Sequence, residues 1–469
     1  MKSLLQSPAT EQIRLVASGS LSAVELVTAH LEHIQKLEPT LNAFVDVRRE
    51  EALAEARAQD ALAASGAPRG PLGGMPVTVK SAIEVTGLRC ETGSPSRAGI
   101  VAERDAVVVS RLRAAGAIVL GTTNVADMLM GYESDNPLHG RTNNPWDLER
   151  TPGGSSGGES AAIAAGCSAG GIGSDGGGSI RVPAHFTGIC GLKPTPGRIP
   201  GTGHQPPCFG PFSIVGVVGP MARTIRDVYA MFAAVQGWDE GDPMSAPVPL
   251  APLEPQPRRQ MRVGFFEDDG RIAVTPETRA AVRTAARAAG DAGYEVEEFR
   301  PSGLDRMRDL WDIFFCEMAL LVLKDPLKGA EIELAILKEF LRRGARPPLS
   351  SLGFTEAWID RDTVRADLLR QMEAHRVLIC PVASIPAFKH GEREWTIGDK
   401  KVHYLDAMSF TQWFNVMGNP AVVVPAGMSP EGLPICVQVV GRPFEEELVL
   451  SVAAAIEAGT GGYRPPPGI

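Results

Sequence analysis

No stretch of this 469-residue chain reaches the roughly 18–20 consecutive apolar residues that a membrane-spanning helix requires, so no membrane span is expected. Basic runs are lacking too. The 46 Lys and Arg stand against 55 Asp and Glu, a net charge of −9, which leaves little to neutralise nucleic-acid phosphates; nucleic acid is not an expected partner. The seven cysteines, Cys90, Cys167, Cys190, Cys208, Cys316, Cys380 and Cys436, lie far apart. None shows the Cys-x-x-Cys or Cys/His spacing of a zinc site, which points to reduced thiols and to no metal. Gln6, Ser7, Thr10, Glu11 and Gln12 interrupt the apolar stretch that a signal peptide would need near the start, so a cytoplasmic location is expected. Eight histidines occur, none in the setting of a serine-hydrolase triad.

What the chain does have is core-forming and turn-forming material: 44% hydrophobic residues, 51 glycines and 38 prolines. Ser22 and Glu25 have capping-box spacing, and Val24, Val27, Leu31 and Ile34 follow at helical intervals. A second helix is expected over Arg48 to Ala64, and a short apolar strand over Met75 to Lys80, ending in a charge. Asp105 to Ala115 reads as a helix stopped by Gly116, and Ala117 to Leu120 as a strand, so β and α alternate around a parallel or mixed sheet. Small residues dominate 151–193. A flexible linker is argued against by the helix-forming Ala161-Ala-Ile-Ala-Ala165 and by the apolar alternation from Ile180 to Leu192. Six prolines between 243 and 257 mark a surface loop before the strand-like Met261 to Phe266. Leu304 to Arg343 has a helical pattern, unusually apolar from Trp311 through Met318, Leu320 and Leu321, and is read as core helix rather than as a substrate-facing lid.

Two serines stand in glycine-rich turns: Ser155 in Gly153-Gly-Ser-Ser-Gly-Gly158, and Ser179 at the end of Gly176-Gly-Gly-Ser179. Glycine lets peptide N–H groups converge where side chains would block them, and converging N–H groups are what an oxyanion needs. A serine nucleophile also needs a base. With no histidine in place, a lysine serves if burial lowers its pKa, and Lys80 at the end of an apolar strand is the candidate.

These elements in this order, Gly74-Met-Pro-Val-Thr-Val-Lys80, Gly153-Gly-Ser-Ser-Gly-Gly-Glu159, Gly173-Ser-Asp-Gly-Gly-Gly-Ser-Ile-Arg-Val-Pro183 and Gly188-Ile-Cys-Gly-Leu-Lys-Pro-Thr195, resemble the amidase signature family. The resemblance continues through Gly219-Pro-Met-Ala-Arg-Thr224 and Gly432 to Pro443, and so spans nearly the whole chain. It implies an α/β fold: a single amidase-signature domain over 1–469, with a large mixed β-sheet sandwiched between α-helices. Within it, 66–230 would be the catalytic core and about 300–400 the variable region that shapes the substrate pocket. It implies Ser179 as nucleophile, Ser155, held by a cis Gly154–Ser155 peptide, as proton relay, and Lys80 as base. The N–H groups of Gly176, Gly177, Gly178 and Ser179 would hold the oxyanion, where losing one donor typically costs about 10²–10³ in rate. Ser156, Asp175 and Arg181 would support the turn, and Leu129, Met130 and Gly131 would bind the substrate's acyl group, with Tyr132 beside them. One position departs from the family: many relatives carry Ile or Thr where this chain has Gly176. No cofactor is implied, and a homodimer is common among relatives.

The wording Leu129-Met-Gly-Tyr-Glu-Ser-Asp-Asn-Pro137 is closer to fatty-acid amide hydrolases and stand-alone bacterial amidases than to the glutaminase subunit of the tRNA-dependent amidotransferase, which is the runner-up. Phe209, Phe212, Trp311, Phe314 and Phe315 are candidates to extend the pocket for bulky aryl or acyl amides. Esters and carbamates form the same kind of acyl-enzyme, so esterase and urethanase activity is expected alongside. Two rivals of other classes exist. Gly153-x-Ser155-x-Gly157 fits the nucleophile elbow of an α/β-hydrolase-type esterase, and Gly171-x-Gly173-x-x-Gly176 fits a dinucleotide-binding turn, although no Asp or Glu follows between Gly191 and Pro200.

Overall fold

A computed structural model describes residues 2–253, 261–317, 335–344 and 349–469. Their frame is one eleven-stranded mixed sheet. Along the chain its strands are β1 (Phe44–Val47), β2 (Pro76–Lys80), β3 (Ile118–Thr123), β4 (Gly170–Asp175), β5 (Cys190–Lys193), β6 (Val217–Ala222), β7 (Arg262–Phe265), β8 (Glu295–Glu298), β9 (His375–Pro381), β10 (Ala421–Met428) and β11 (Pro434–Val440). Across the sheet they run β1-β3-β2-β4-β6-β5-β10-β11-β9-β7-β8. Parallel pairing joins β3, β2 and β4 at one end and β9, β7 and β8 at the other. The remaining pairs are antiparallel.

Side chains alternate across a strand, so a sheet buried on both faces feeds two cores. Val77 and Val79, Val377 and Ile379, and Val422 and Val424 enter one core, packed with the helices Val107–Ala114, Ile225–Val235, Pro276–Asp291 and Glu446–Thr460. Leu378, Cys380, Ala421 and Val423 enter the other, beneath Arg181–Thr187, Leu304–Trp311, Ser351–Gln371 and Ser409–Val416. The result is the α/β fold with a large mixed sheet between helices that the resemblance implies. No helix among the described residues is long and apolar enough to cross a membrane.

Local signals fared well where they carried caps. Helix Ala23–Leu41 has a closed capping box: Glu25 N–H donates to Ser22 Oγ at 3.0 Å, and Ser22 N–H to Glu25 Oε2 at 2.9 Å. Arg49–Ala64, Val107–Ala114 and Gly157–Ala164 are helices as expected, and Gly116 takes φ +91° just past the second of them. The proline-rich segment is irregular as far as residue 253; 254–257 lie outside the described residues. Where the sequence has a helical pattern from Leu304 to Arg343, an α-helix, Leu304–Trp311, runs into a π-helical turn, Asp312–Glu317. A further helix spans Ala335–Gly344, and Met318, Leu320 and Leu321 lie outside the described residues.

Both rival motifs fail on backbone. Gly171 and Gly173 lie inside strand β4 and only Gly176 lies in the turn that follows it, so the three glycines do not form one turn between strand and helix as a dinucleotide fingerprint requires. No strand leads into Gly153, as a nucleophile elbow requires: residues 151–153 are irregular.

Candidate active site

The alternation that buries Val77 and Val79 in one core sends Thr78 and Lys80 to the opposite face. There the fully buried Lys80 Nζ donates to Ser155 Oγ at 2.7 Å and to Ser174 Oγ at 2.9 Å. Burial pushes the Lys80 pKa down to about 7, against the pull of the Asp175 and Glu159 carboxyls. Burial also pushes the Glu159 pKa up, to about 8, against the hydroxyls of Thr78 and Thr123 that donate to its carboxyl. A substantial fraction of Lys80 is therefore uncharged near neutral pH.

Ser155 follows a cis peptide from Gly154. The next residue ties this turn to β4 and to Ser179: Ser156 N–H donates to the Ser179 carbonyl at 3.2 Å, and Ser156 Oγ to the Ser174 carbonyl at 3.3 Å. β4 ends at Asp175, and the chain turns through Gly176–Ser179 into helix Arg181–Thr187. Asp175 knots that turn. Arg181 Nε and Nη2 each donate to its carboxylate at 3.0 Å, and Asn415 Nδ2 adds a third bond at 3.0 Å. Burial alone would raise the Asp175 pKa; the Arg181 guanidinium outweighs it and holds the carboxyl well below the usual range. Arg181 is bound on its far side by Gln438 Oε1 at 3.0 Å. This buried network joins β4, β11 and helix Ser409–Val416.

The geometry corrects one expected oxyanion donor. Gly178 N–H is spent on Asp175 Oδ1 at 2.7 Å, and Ile180 N–H on Oδ2 at 3.1 Å, because the carboxylate sits inside the turn as its internal cap. Among the described residues no acceptor takes the N–H of Gly176, Gly177 or Ser179. Their peptide planes are held from behind. Trp311 Nε1 donates to the Gly176 carbonyl at 3.1 Å, while Tyr132 Oη and Thr411 Oγ1 donate to the Gly177 carbonyl at 2.8 and 2.7 Å. In a trans peptide the C=O and the following N–H point to opposite edges of one plane, so fixing the Gly176 carbonyl also fixes the direction of the Gly177 N–H.

Ser155 and Ser179 line one open-sided cavity. Its walls are largely apolar: Met128, Leu129, Met130, Phe212, Val217 and Phe315. Gly131 is not among its lining residues; its carbonyl lies so near Gly154 that a Cβ there would sit 2.7 Å away. Of the aromatic residues expected around the pocket, Phe212 and Phe315 reach it. Trp311 stacks behind Phe315 at 4.8 Å, Phe314 packs instead on Phe354 and Trp358, and Phe209 is 57% exposed. At Gly176 an added Cβ would lie 2.7 Å from Cε2 of Phe315, so the ring leaves no room for a side chain at this position.

Three participants went unassigned in the sequence. Ser174 lies within the quoted motif, but nothing marks it as a second partner for Lys80. Thr411 and Asn415 lie more than two hundred residues from the glycine turn they brace, and no local pattern connects them.

A protein-family model described as Amidase matches residues 25–450. The chain is 34% identical over 465 residues to the indoleacetamide hydrolase of Bradyrhizobium diazoefficiens, covering 97% of this chain and 87% of that protein. It is also 34% identical over 483 residues to a glutamyl-tRNA(Gln) amidotransferase subunit of Synechococcus sp. (strain JA-3-3Ab), covering 97% and 93%. Among solved structures, a bacterial aryl acylamidase of the amidase signature family superposes with a TM-score of 0.87 at 26% identity, covering 99% of each chain.

Proposed function

This chain belongs to the amidase signature family, a family of C–N hydrolases, and we propose that within it the protein is a stand-alone serine hydrolase of apolar aryl and acyl amides, working through an acyl-enzyme on Ser179. The observation that carries this reading is the buried Lys80, 2.7 Å from Ser155 Oγ and with its pKa pushed down to about 7, behind two serines that line one apolar cavity. Neutral Lys80 takes the Ser155 hydroxyl proton as Ser155 takes that of Ser179, and Ser179 Oγ attacks the carbonyl carbon. The oxyanion that forms is bound by N–H groups of Gly176, Gly177 and Ser179. The relay then runs in reverse: Lys80 returns the proton through Ser155 to the leaving nitrogen, the C–N bond breaks, and water releases the acyl group by the same two steps. Aryl esters and carbamates pass through the same intermediate. Residues 66–230 supply the chemistry, and the 300–400 segment shapes the pocket through Phe315.

The glutaminase-subunit reading has the equal identity to the Synechococcus amidotransferase relative in its favour. Against it stands the cavity: among its described lining residues the only carboxylate is Asp175, spent on Arg181, and no Lys or Arg offers a partner for the α-carboxylate of glutamine. The deciding measurement is kcat/KM for p-nitroanilides and matched aryl carbamates of increasing chain length, with Ser179→Ala as blank. The expected rate rises with apolar size and vanishes in the variant. Glutamine hydrolysis that appears only with a partner, with every apolar amide ignored, would reverse the assignment.

The pH profile follows from the base. Protonated Lys80 cannot accept a proton, so kcat/KM on a non-ionising amide is expected to rise with pH through about 7 and level off above it. A rising limb near 10, the range of a solvated lysine, would contradict the burial argument.

A further inference from the structure

Trp311 is fully buried, and its indole N–H is spent on one acceptor, the Gly176 carbonyl at 3.1 Å. The three free N–H groups of the turn after β4, on Gly176, Gly177 and Ser179, share peptide planes with the carbonyls of Asp175, Gly176 and Gly178. Each donor is therefore aimed by whatever holds the carbonyl on the other edge of its plane. The Asp175 carbonyl ends strand β4 and accepts from Asn415 Nδ2 at 3.3 Å, and the Gly178 carbonyl accepts from Val182 N–H at 2.7 Å, at the start of helix Arg181–Thr187. The Gly176 carbonyl, behind the Gly177 N–H, has a single donor among the described residues, and it is Trp311. The next plane cannot substitute as a donor, because its carbonyl, on Gly177, is taken by Tyr132 and Thr411, and its N–H, on Gly178, by Asp175.

The indole is itself fixed. Phe315 stacks on it with ring centroids 4.8 Å apart and planes 12° from parallel, and Phe340 meets it edge-on at 6.3 Å. The turn is bare where the indole comes in: a Cβ on Gly177 would lie 2.7 Å from Trp311 Cζ2 and 3.3 Å from Nε1. Gly177 does not take the left-handed backbone that would require glycine, so this close approach is what excludes a side chain there.

We infer that Trp311 is a positioning residue for catalysis, its indole N–H holding the Gly176–Gly177 peptide so that the Gly177 N–H meets the oxyanion as it forms. The inference rests on the amidase reading above and adds to it a residue of the 300–400 segment that acts on the chemical step rather than on substrate binding. A hydrogen bond to the carbonyl also polarises the peptide, which makes the N–H on its other edge a stronger donor. Trp311 is not among the residues that line the cavity, so it acts through the turn. The substrate's carbonyl oxygen carries its full charge only as the tetrahedral intermediate forms, and a misaimed donor therefore costs the transition state more than the bound amide.

The test replaces Trp311 in two ways. Trp311→Phe keeps a ring for Phe315 to stack on and loses the N–H; β-(3-benzothienyl)alanine at 311 keeps the bicyclic shape and puts sulfur in place of the N–H. Each protein is assayed on an apolar acyl p-nitroanilide and against the trifluoromethyl ketone with the same acyl chain. Ser179 Oγ adds to that ketone, its proton passes through Ser155 to Lys80, no group leaves, and the carbonyl oxygen becomes the oxyanion. Its Ki thus reads the oxyanion donors with the apolar contacts held constant. In both variants kcat is expected to fall by about ten- to hundred-fold with KM within about twofold of wild type, and the Ki of the ketone to weaken by the same factor as kcat. The Kd of the uncleaved anilide, measured with Ser179→Ala added to each protein, is expected to stay within about twofold. An unchanged kcat and Ki in the benzothienyl protein overturn the inference, whether or not Trp311→Phe folds. So does a loss that appears equally in Kd, because the residue then supports the pocket rather than the donor. Failure of the amidase reading is separable: wild type then neither cleaves the anilide nor is inhibited by the ketone, and this inference falls with it, whereas failure of this inference alone leaves wild type active and the variants equal to it.

Discussion

Ser179→Ala is expected to lower kcat/KM by about 10⁴-fold or more on every amide the wild type cleaves, while leaving the thermal midpoint within a degree or two. The substitution removes one hydroxyl and nothing else that the turn uses. The Ser179 carbonyl still accepts from Ser156 N–H, and Gly178 and Ile180 N–H still cap Asp175. The peptide planes of Gly176 and Gly177 keep their anchors on Trp311, Tyr132 and Thr411. The oxyanion donors therefore survive, and what rate persists reports their work without a nucleophile. Labelling with a fluorophosphonate and mapping the modified peptide checks the assignment directly. Wild type is expected to carry the label on Ser179, and Ser179→Ala to carry none. A label on Ser155 would exchange the two serines' roles. Combining Ser155→Ala with Ser179→Ala is expected to add little, because the groups act as one relay and their losses are not additive.

How much of this was legible in the sequence depends on the range of the interaction. Capping boxes, alternating strands and helix stops are decided within a few residues, and Ser22, Met75 to Lys80 and Gly116 announced the elements they belong to. Lys80, Ser155 and Ser179 stood out as candidates because glycine turns and an apolar strand end are local features, and the fold brings Lys80 onto Ser155 and both serines to one cavity. The shape of the oxyanion turn was not. Whether Gly178 N–H faces the cavity or caps Asp175 depends on where that carboxylate is held, and Arg181, Asn415 and Gln438 from three separate elements hold it. Likewise an apolar stretch containing Trp311, Phe314 and Phe315 has one periodicity whether it forms a continuous α-helix or passes into a π-helical turn. The turn rotates Phe315 onto Gly176 and leaves Phe314 on Trp358.

Lys80→Met is expected to cost about 10³-fold in kcat/KM while leaving the protein at least as stable as the wild type near pH 7. Methionine fills nearly the same length of buried channel without an amine. Folding the wild type desolvates Lys80 so strongly that its pKa drops from the ordinary lysine range to about 7. Because the folded pKa lies below the unfolded one, the unfolded chain binds more protons between about 7 and 10.5, and the group's contribution to stability rises with pH across that window. Below about pH 7 the protonated amine is a net cost, on the order of a few kcal/mol, that methionine removes. Opposing this, Ser155 and Ser174 each lose a partner, but both line the cavity and can turn to water there, which limits the penalty. The two effects predict a distinctive pair of readings: denaturant midpoints for Lys80→Met that match or exceed wild type at pH 6 and fall behind it toward pH 10, together with activity near the blank throughout. A loss of less than about tenfold would mean that another base accepts the Ser155 proton. His204, which also lines the cavity, has its pKa pushed down to about 4 by burial, which leaves it a weak base for that role.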